Sequence, residues 1–271
     1  MTKPPLHFSH ANSFPAGAYR KMLRALEVHY DVGYLEILGH DPAYPVTDCW
    51  PNLVKQSIAY IEQRYREPVV AVGHSLGGFL SFLSAIERPE LFRAVVLLDS
   101  PIFSWQVSTM LWLGKRLGFI ERLTPGSGTL TRRHEWPDTE AALQHFSGRG
   151  TFAAFDHECL RDYVESGTVP GGAGVQLRFR REIEYQIYCG LPHIFPRYRG
   201  RLSVPTGFIG GSQSAYVRKS DLRQMQKHFG IRLAQVEGGH MFPLEKPEAA
   251  AAAIMEMVEA LLSTAPEVVR A

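Results

Sequence analysis

Along the chain, short apolar runs alternate with longer stretches in which apolar residues return every three or four positions. The runs are Leu6 to Ser9, Val32 to Ile37, Val69 to Val72, Ala94 to Leu98, Thr206 to Ile209 and Ile231 to Val236. Runs this short and this continuously apolar suit strands covered on both faces. The stretches between them suit crossover helices, so the pattern predicts a mostly parallel sheet of about six strands with helices on both sides. Val54, Ile58, Ile61 and Tyr65 share one helical face behind Pro51, a residue the first turn tolerates because its missing N–H has no intrahelical partner there. Leu76, Phe79, Leu80, Leu83 and Ile86 form a second face, and Pro247-Glu248 opens a last helix striped by Ile254, Met257 and Leu261.

The alternation stops near residue 101 and resumes at Val204-Pro205, with Trp-rich and Gly-rich stretches between, including Pro125 to Gly128 and Pro170 to Gly174. The expected organisation is an α/β core over 1–100 and 204–271, interrupted by an inserted helical cap over 101–203. With 45% hydrophobic residues in 271, such a core is well supplied. Charge is balanced, 29 basic against 27 acidic side chains, which leaves too little excess to neutralise phosphates and argues against a nucleic-acid partner. The arginines at 178, 180, 181 and at 197, 199, 201 read as solvated loop charges. Cys49, Cys159 and Cys189 are odd in number and lack ligand spacing, so neither a disulfide framework nor a zinc site is expected. No G-x-G-x-x-G follows the first strand, hence no nucleotide or flavin cofactor. The N-terminal residues have no secretory pattern and no apolar run approaches the roughly 18 residues of a membrane span, so the expected setting is cytoplasmic.

Gly73-His74-Ser75-Leu76-Gly77 sets a serine between two glycines, directly after one strand run and directly before a helical face. A serine on so tight a strand-to-helix turn projects its hydroxyl above the sheet edge, and side chains two places either side would collide with neighbouring backbone. The hydroxyl is a weak nucleophile near neutral pH and needs a base. Of the eleven histidines, His240 is the candidate, because Gly238-Gly239-His240 lies between the last strand run and the last helix, at the carboxyl edge of the sheet. His74 reads as a shaping residue, and His134, His145, His157 and His193 receive no role. Acyl transfer also needs donors for the developing oxyanion. The Leu76 N–H is one, and the second is expected from the loop His10 to Pro15, with Asn12 favoured and Ala11 as the alternative.

Four stretches, in order, resemble the α/β-hydrolase family: Ser9-His10-Ala11-Asn12-Ser13-Phe14-Pro15, Gly73 to Gly78, Arg93 to Asp99, and Glu237-Gly238-Gly239-His240-Met241-Phe242-Pro243. The likeness is nearest to small bacterial hydrolases and peroxisomal lipase-like members. It implies the α/β-hydrolase fold, a variable helical cap in the insertion, and a Ser-His-acid triad. The chain departs from the family in three places. Only five residues precede Leu6, so the family's initial two-strand hairpin is expected to be missing. The family's Asp-x-x-Gly-His-Gly loop is replaced by Glu36-Ile37-Leu38-Gly39-His40-Asp41. The usual acid after the penultimate strand is missing, since Gly210 to Ala215 contains no carboxylate. Some members resemble an arrangement in which the acid ends an earlier strand, which points to Asp99 after Ala94 to Leu98. Asp221, Glu237 and Glu245 are substitutes, and a turn-capping role before Ser100-Pro101 is the other reading of Asp99.

The expected activity is hydrolysis of a carboxylic ester or related acyl compound through an acyl-enzyme at Ser75, with a small apolar substrate and no cofactor or metal. Serine at this position disfavours the epoxide hydrolases and haloalkane dehalogenases of the family, which use aspartate there. Phe103, Trp105, Met110, Leu111, Trp112 and Leu113 read either as the core stripe of the cap or as an apolar pocket. Carbon-carbon bond hydrolysis of a diketone, or a ligand-binding module with little turnover, are the rival readings.

Overall fold

The structure is a computed structural model that describes residues 2–263. Strands β1 (Pro5–Ser9), β2 (Asp31–Tyr34), β3 (Val69–His74) and β4 (Phe92–Leu98) alternate with helices α1 (Arg20–Glu27), α2 (Pro51–Arg64) and α3 (Leu76–Glu87). An inserted segment follows, with α4 (Trp105–Arg116), β5 (Glu135–Trp136), α5 (Thr139–Phe146), α6 (His157–Gly167), β6 (Thr168–Gly171), β7 (Gly174–Leu177) and α7 (Arg181–Cys189). The chain then completes the core with β8 (Thr206–Gly211), α8 (Lys219–Phe229), β9 (Arg232–Val236), the short α9 (Phe242–Glu245) and α10 (Pro247–Ser263).

Six strands lie side by side in the order β2-β1-β3-β4-β8-β9, all parallel, as the apolar runs predict. Successive strand residues point to opposite faces, and both faces are covered. Val70, Val72, Ala94 and Val96 pack with Leu6 and Phe8 towards α1 and α10, while Val69, Ala71, Val95 and Leu97 pack towards α2, α3 and α8. That double burial is why these strands are apolar throughout. The chain runs outward from β1 to β2, then returns to place β3 on the other side of β1, so the strand order reverses between β1 and β3. In open parallel sheets a crevice opens beyond the carboxyl ends at such a reversal.

The inserted segment contains a small antiparallel sheet, β5-β7-β6, which the sequence pattern does not announce because strands of two to four residues carry too little alternation. The segment does not keep its apolar residues to itself. Trp136, Phe146, Phe155, Leu160 and Tyr163 belong to the same buried cluster as Leu6 and Phe8 of the sheet. Lys21 and Arg20 of α1 pair with Asp156 at 2.8 Å and Asp162 at 2.6 Å, at the start and within α6. Neither a full core stripe nor a buried pocket describes the first insertion helix. Leu111 is buried, but Trp105 and Trp112 are 56% and 44% exposed. Among the described residues no helix is long and apolar enough to cross a membrane.

The turn from β3 into α3 sets the tightest contacts. A Cβ on Gly77 would lie 2.0 Å from the Ser9 carbonyl oxygen, and one on Gly73 would lie 2.3 Å from the Gly77 carbonyl carbon. Backbone cannot yield there without parting β1 from α3. Gly77→Ala should therefore cost about 3 kcal/mol or more of unfolding free energy. Gly128→Ala, where nothing lies within 4 Å of the added atom, should stay within about 0.5 kcal/mol. Urea unfolding of both variants checks the contrast.

Candidate active site

Ser75 sits between β3 and α3 with φ 50° and ψ −113°, a backbone conformation that an L side chain adopts only when its surroundings impose it. The Ser75 N–H donates to the Leu98 carbonyl at 3.0 Å, and its own carbonyl accepts from Gly78 and Phe79 at the start of α3. Those bonds hold the strained residue. Leu76 is the first helical residue, so its N–H has no carbonyl one turn behind it within the helix.

His240 follows the short Gly238-Gly239 loop after β9, and its Nε2 lies 3.2 Å from Ser75 Oγ. Its Nδ1 lies 2.6 Å from Asp99 Oδ2. Asp99 directly follows β4, is buried, and also has positive φ, 47°. Its carboxylate accepts two further bonds, from the Gly211 N–H at 2.8 Å on Oδ1 and from the Ser214 hydroxyl at 2.6 Å on Oδ2. A buried carboxylate needs such donors to offset its lost hydration. Neither Gly211 nor Ser214 is recognisable from sequence as a partner, since both only become neighbours of Asp99 when β8 pairs with β4.

Gly211, the last residue of β8, has no room for a side chain. A Cβ on Gly211 would lie 2.1 Å from the Gly239 carbonyl oxygen, so the loop bearing His240 packs directly on that backbone. The other acids lie elsewhere. Asp221 accepts the Ser104 N–H at 2.9 Å, Glu245 accepts the Gly239 N–H at 2.8 Å and so braces the His240 loop, and Glu237 is exposed.

The loop after β1 runs beside this centre. The Ala11 carbonyl accepts from Phe14 N–H at 3.1 Å and pairs with His10 Nδ1 at 2.8 Å. A trans peptide points its N–H away from its C=O, so the Asn12 N–H faces away from both partners. The Asn12 side chain donates to the Glu184 carbonyl at 3.2 Å, and Ser13 Oγ accepts from Arg132, which pairs with the Glu184 carboxylate at 2.6 Å. This buried polar cluster ties the loop to α7, and no short-range sequence signal marks it. Tyr216 covers the other side, its ring centroid 4.6 Å from that of His240. Burial holds the His10 pKa down at about 4, and burial together with nearby His240 pulls His74 well below its ordinary value.

Away from this cluster, the donor atoms of Asp48, Cys49 and His193 lie within 4.8 Å of one another beside a groove of about 400 Å³. The Lys115 ammonium already stands among them, bonded to Asp48 and 3.2 Å from His193 Nδ1, so a cation of the chain's own serves these atoms.

The comparisons with known proteins accord with this architecture. The model of the Alpha/beta hydrolase family matches residues 7–253. The chain belongs to that family. It is similar to the uncharacterized hydrolase YugF of Bacillus subtilis, 35% identical over 88 residues, which is 31% of this chain and 32% of that protein. The chain spans 32%, 22% and 56% of the length of the curated relatives it matches. Among solved structures, E-2-(acetamidomethylene)succinate hydrolase superposes with a TM-score of 0.76 at 20% identity, over 96% of this chain and 92% of the other. The peroxisomal α/β-hydrolase Lpx1 of Saccharomyces cerevisiae does so with 0.71 at 16%, over 100% and 80%. This α/β hydrolase thus shares its fold with both.

His7, in the middle of β1, is held like His10 at about 4 by burial, against an ordinary 6.5. Below about 6.5 the unfolded chain takes up protons that these native imidazoles refuse until about 4, so the stability linked to them falls as pH drops through that window, and this contribution levels off beneath it. Each contributes about 3 kcal/mol that is present above pH 6.5 and lost by pH 4. Urea unfolding followed from about pH 7.5 to about pH 4.5 should show that decline, and His7→Leu should flatten it by about one proton. A profile no steeper than that of exposed histidines would contradict the buried neutral state.

Proposed function

We propose that this α/β hydrolase is a serine hydrolase that cleaves a carboxylic ester or related acyl substrate through an acyl-enzyme at Ser75. One observation carries the reading: His240 lies between Ser75 Oγ and a buried carboxylate, 3.2 Å from one and 2.6 Å from the other. As Ser75 Oγ bonds to the substrate carbonyl carbon, its proton passes to His240 Nε2. Asp99 remains ionised, fixes the imidazole so that Nε2 faces the serine, and stabilises the imidazolium. The carbonyl oxygen becomes an oxyanion that the Leu76 and Asn12 N–H groups bind. His240 then returns the proton to the departing alkoxide, and a water activated by the same imidazole releases the acid.

Supporting this assignment, the residues with strained backbone collect at the centre. Ser13, Ser75 and Asp99 are three of the five non-glycine residues with positive φ among those described. Strain of about 1–3 kcal/mol per residue persists where surrounding structure enforces it, and such residues cluster at active sites. We take the substrate to be a small apolar acyl compound. A cap over 101–203, its residues packed on α1 and on the loop after β1, would shape access to the site. A cytoplasmic setting fits the free thiols of Cys49, Cys159 and Cys189.

A fluorophosphonate probe tests the nucleophile without knowledge of the substrate. Ser75 Oγ displaces fluoride from phosphorus, so peptide mapping should find the adduct on Ser75, and Ser75→Ala should lose both labelling and short-chain aryl ester hydrolysis. An adduct on another serine, or undiminished turnover in the variant, rules the assignment out.

Asp99→Asn keeps the shape but supplies an amide where His240 Nδ1 needs a carboxylate. Its kcat should fall by about 10³-fold or more, with Ser75 still in place. Steady-state kinetics on the same ester decide this, since a change of only a few-fold would leave Asp99 as a structural cap.

A further inference from the structure

His74 precedes the serine and points the other way, into the protein. It is fully buried, as is Tyr19, which follows β1 by ten residues. His74 Nε2 lies 2.9 Å from the carbonyl oxygen of His240, Nδ1 lies 2.7 Å from the Tyr19 hydroxyl, and the Ala11 N–H reaches that hydroxyl at 3.3 Å. The roles along this chain are fixed by what each end allows. A carbonyl only accepts, so Nε2 bears the proton, and in a neutral ring Nδ1 must then accept. Tyr19 therefore donates to His74 and accepts from Ala11. All three groups are satisfied, and each constrains the next.

The two ends of the chain belong to the two loops that must face Ser75. One is the backbone of His240 itself. The other is Ala11, whose own carbonyl, part of the peptide that carries the Asn12 N–H, is held by His10 Nδ1 while His10 Nε2 accepts the Leu38 N–H at 2.8 Å. The His74 ring also lies 5.1 Å from the His240 ring, where a second positive charge would oppose formation of the imidazolium.

We propose that Tyr19 and His74 are positioning residues, a buried relay that holds the oxyanion loop and the His240 loop in register on either side of Ser75. The proposal rests on the roles of Ser75, His240 and Asn12 given above. Neither relay residue touches the reacting atoms. Their effect is to keep the donor for the oxyanion and the acceptor for the serine proton at a fixed separation, so that both meet one substrate carbonyl. Loosening the relay would leave ground-state binding nearly intact and weaken contacts made only in the transition state.

Tyr19→Phe removes one oxygen and little volume. Assayed on an aryl ester well below its unfolding midpoint, it should lower kcat about tenfold, the scale of one buried hydrogen bond, with KM within about twofold. His74→Gln removes the Nδ1 acceptor while offering an amide donor towards His240, and should lower kcat to a similar degree. Because both cut one chain, the double variant should lose no more than about tenfold in all. A Tyr19→Phe kcat within about twofold of the unaltered chain, or losses that multiply to about a hundredfold in the double variant, overturns the relay.

A second measurement does not depend on turnover. In ¹⁵N spectra of labelled histidines, His74 should remain the neutral Nε2–H tautomer between about pH 5 and 8. In Tyr19→Phe its Nδ1 resonance should move towards that of an unbonded nitrogen, with the His240 ring resonances shifting too. A proton on Nδ1 of His74, titration within that range, or His240 resonances unmoved by Tyr19→Phe overturns the proposal whether or not the chain hydrolyses esters. Failure of the hydrolase reading shows separately, as an unaltered chain whose Ser75 does not react with the fluorophosphonate.

Discussion

The contact on which the site depends is that of the Gly77 backbone with the Ser9 carbonyl. An added Cβ at 2.0 Å leaves no room for any side chain, so α3 meets the end of β1 backbone to backbone. That approach forces Ser75 into positive φ, at a cost of about 1–3 kcal/mol. The burial of ten of the twelve α3 residues, from Leu76 to Ala85, supplies the offsetting packing. Because α3 starts so close to β1, the Leu76 N–H at its start and the loop from His10 to Ser13 lie at the same end of the sheet, at the point where the strand order reverses.

A second glycine contact works the same way at the other end of the site. Gly211 lets the Gly238-Gly239 backbone settle on β8, which carries His240 inward over β4. No side chain fits at Gly211, the last residue of β8, and the carboxylate partner of His240 comes from the neighbouring strand. Asp99 meets that requirement from the end of β4, and the Gly211 N–H and Ser214 hydroxyl stabilise its buried charge.

The inserted segment is bound to the core by shared packing and by charge. Tyr163, Phe152 and Phe155 surround Phe14 of the loop after β1, with ring centroids 5.2 to 6.0 Å away. Arg132 and Glu184 grip Ser13 and Asn12 of the same loop. The segment thus contacts directly the loop that carries the proposed oxyanion donor. Beneath the loop, His10 and His74 are buried and resist protonation, so the ring of His240 has no fixed positive charge from either neighbour to compete with its own.

The sequence by itself determined the strands, the principal helices and the position of Ser75, because burial on both faces of a parallel sheet demands unbroken apolar runs and so tight a strand-to-helix turn demands glycines at set offsets. Those are local constraints, readable within ten residues. His240 was reachable by the same logic, from its place between the last strand and the last helix. Asp99 was suggested by the lack of a carboxylate from Gly210 to Ala215, by its place after the Ala94 to Leu98 run and by the family resemblance, whereas its partners Gly211 and Ser214 were not legible at all, since they lie more than a hundred residues away and meet it only through the β4–β8 pairing. The small sheet of the insertion, the grip of Arg132 and Glu184 on the loop after β1, and the chain from Ala11 through Tyr19 and His74 to His240 were likewise decided by tertiary structure alone. Each joins distant segments through hydrogen bonds or ion pairs that leave no periodicity in the sequence, because a buried polar group asks only for a partner in space.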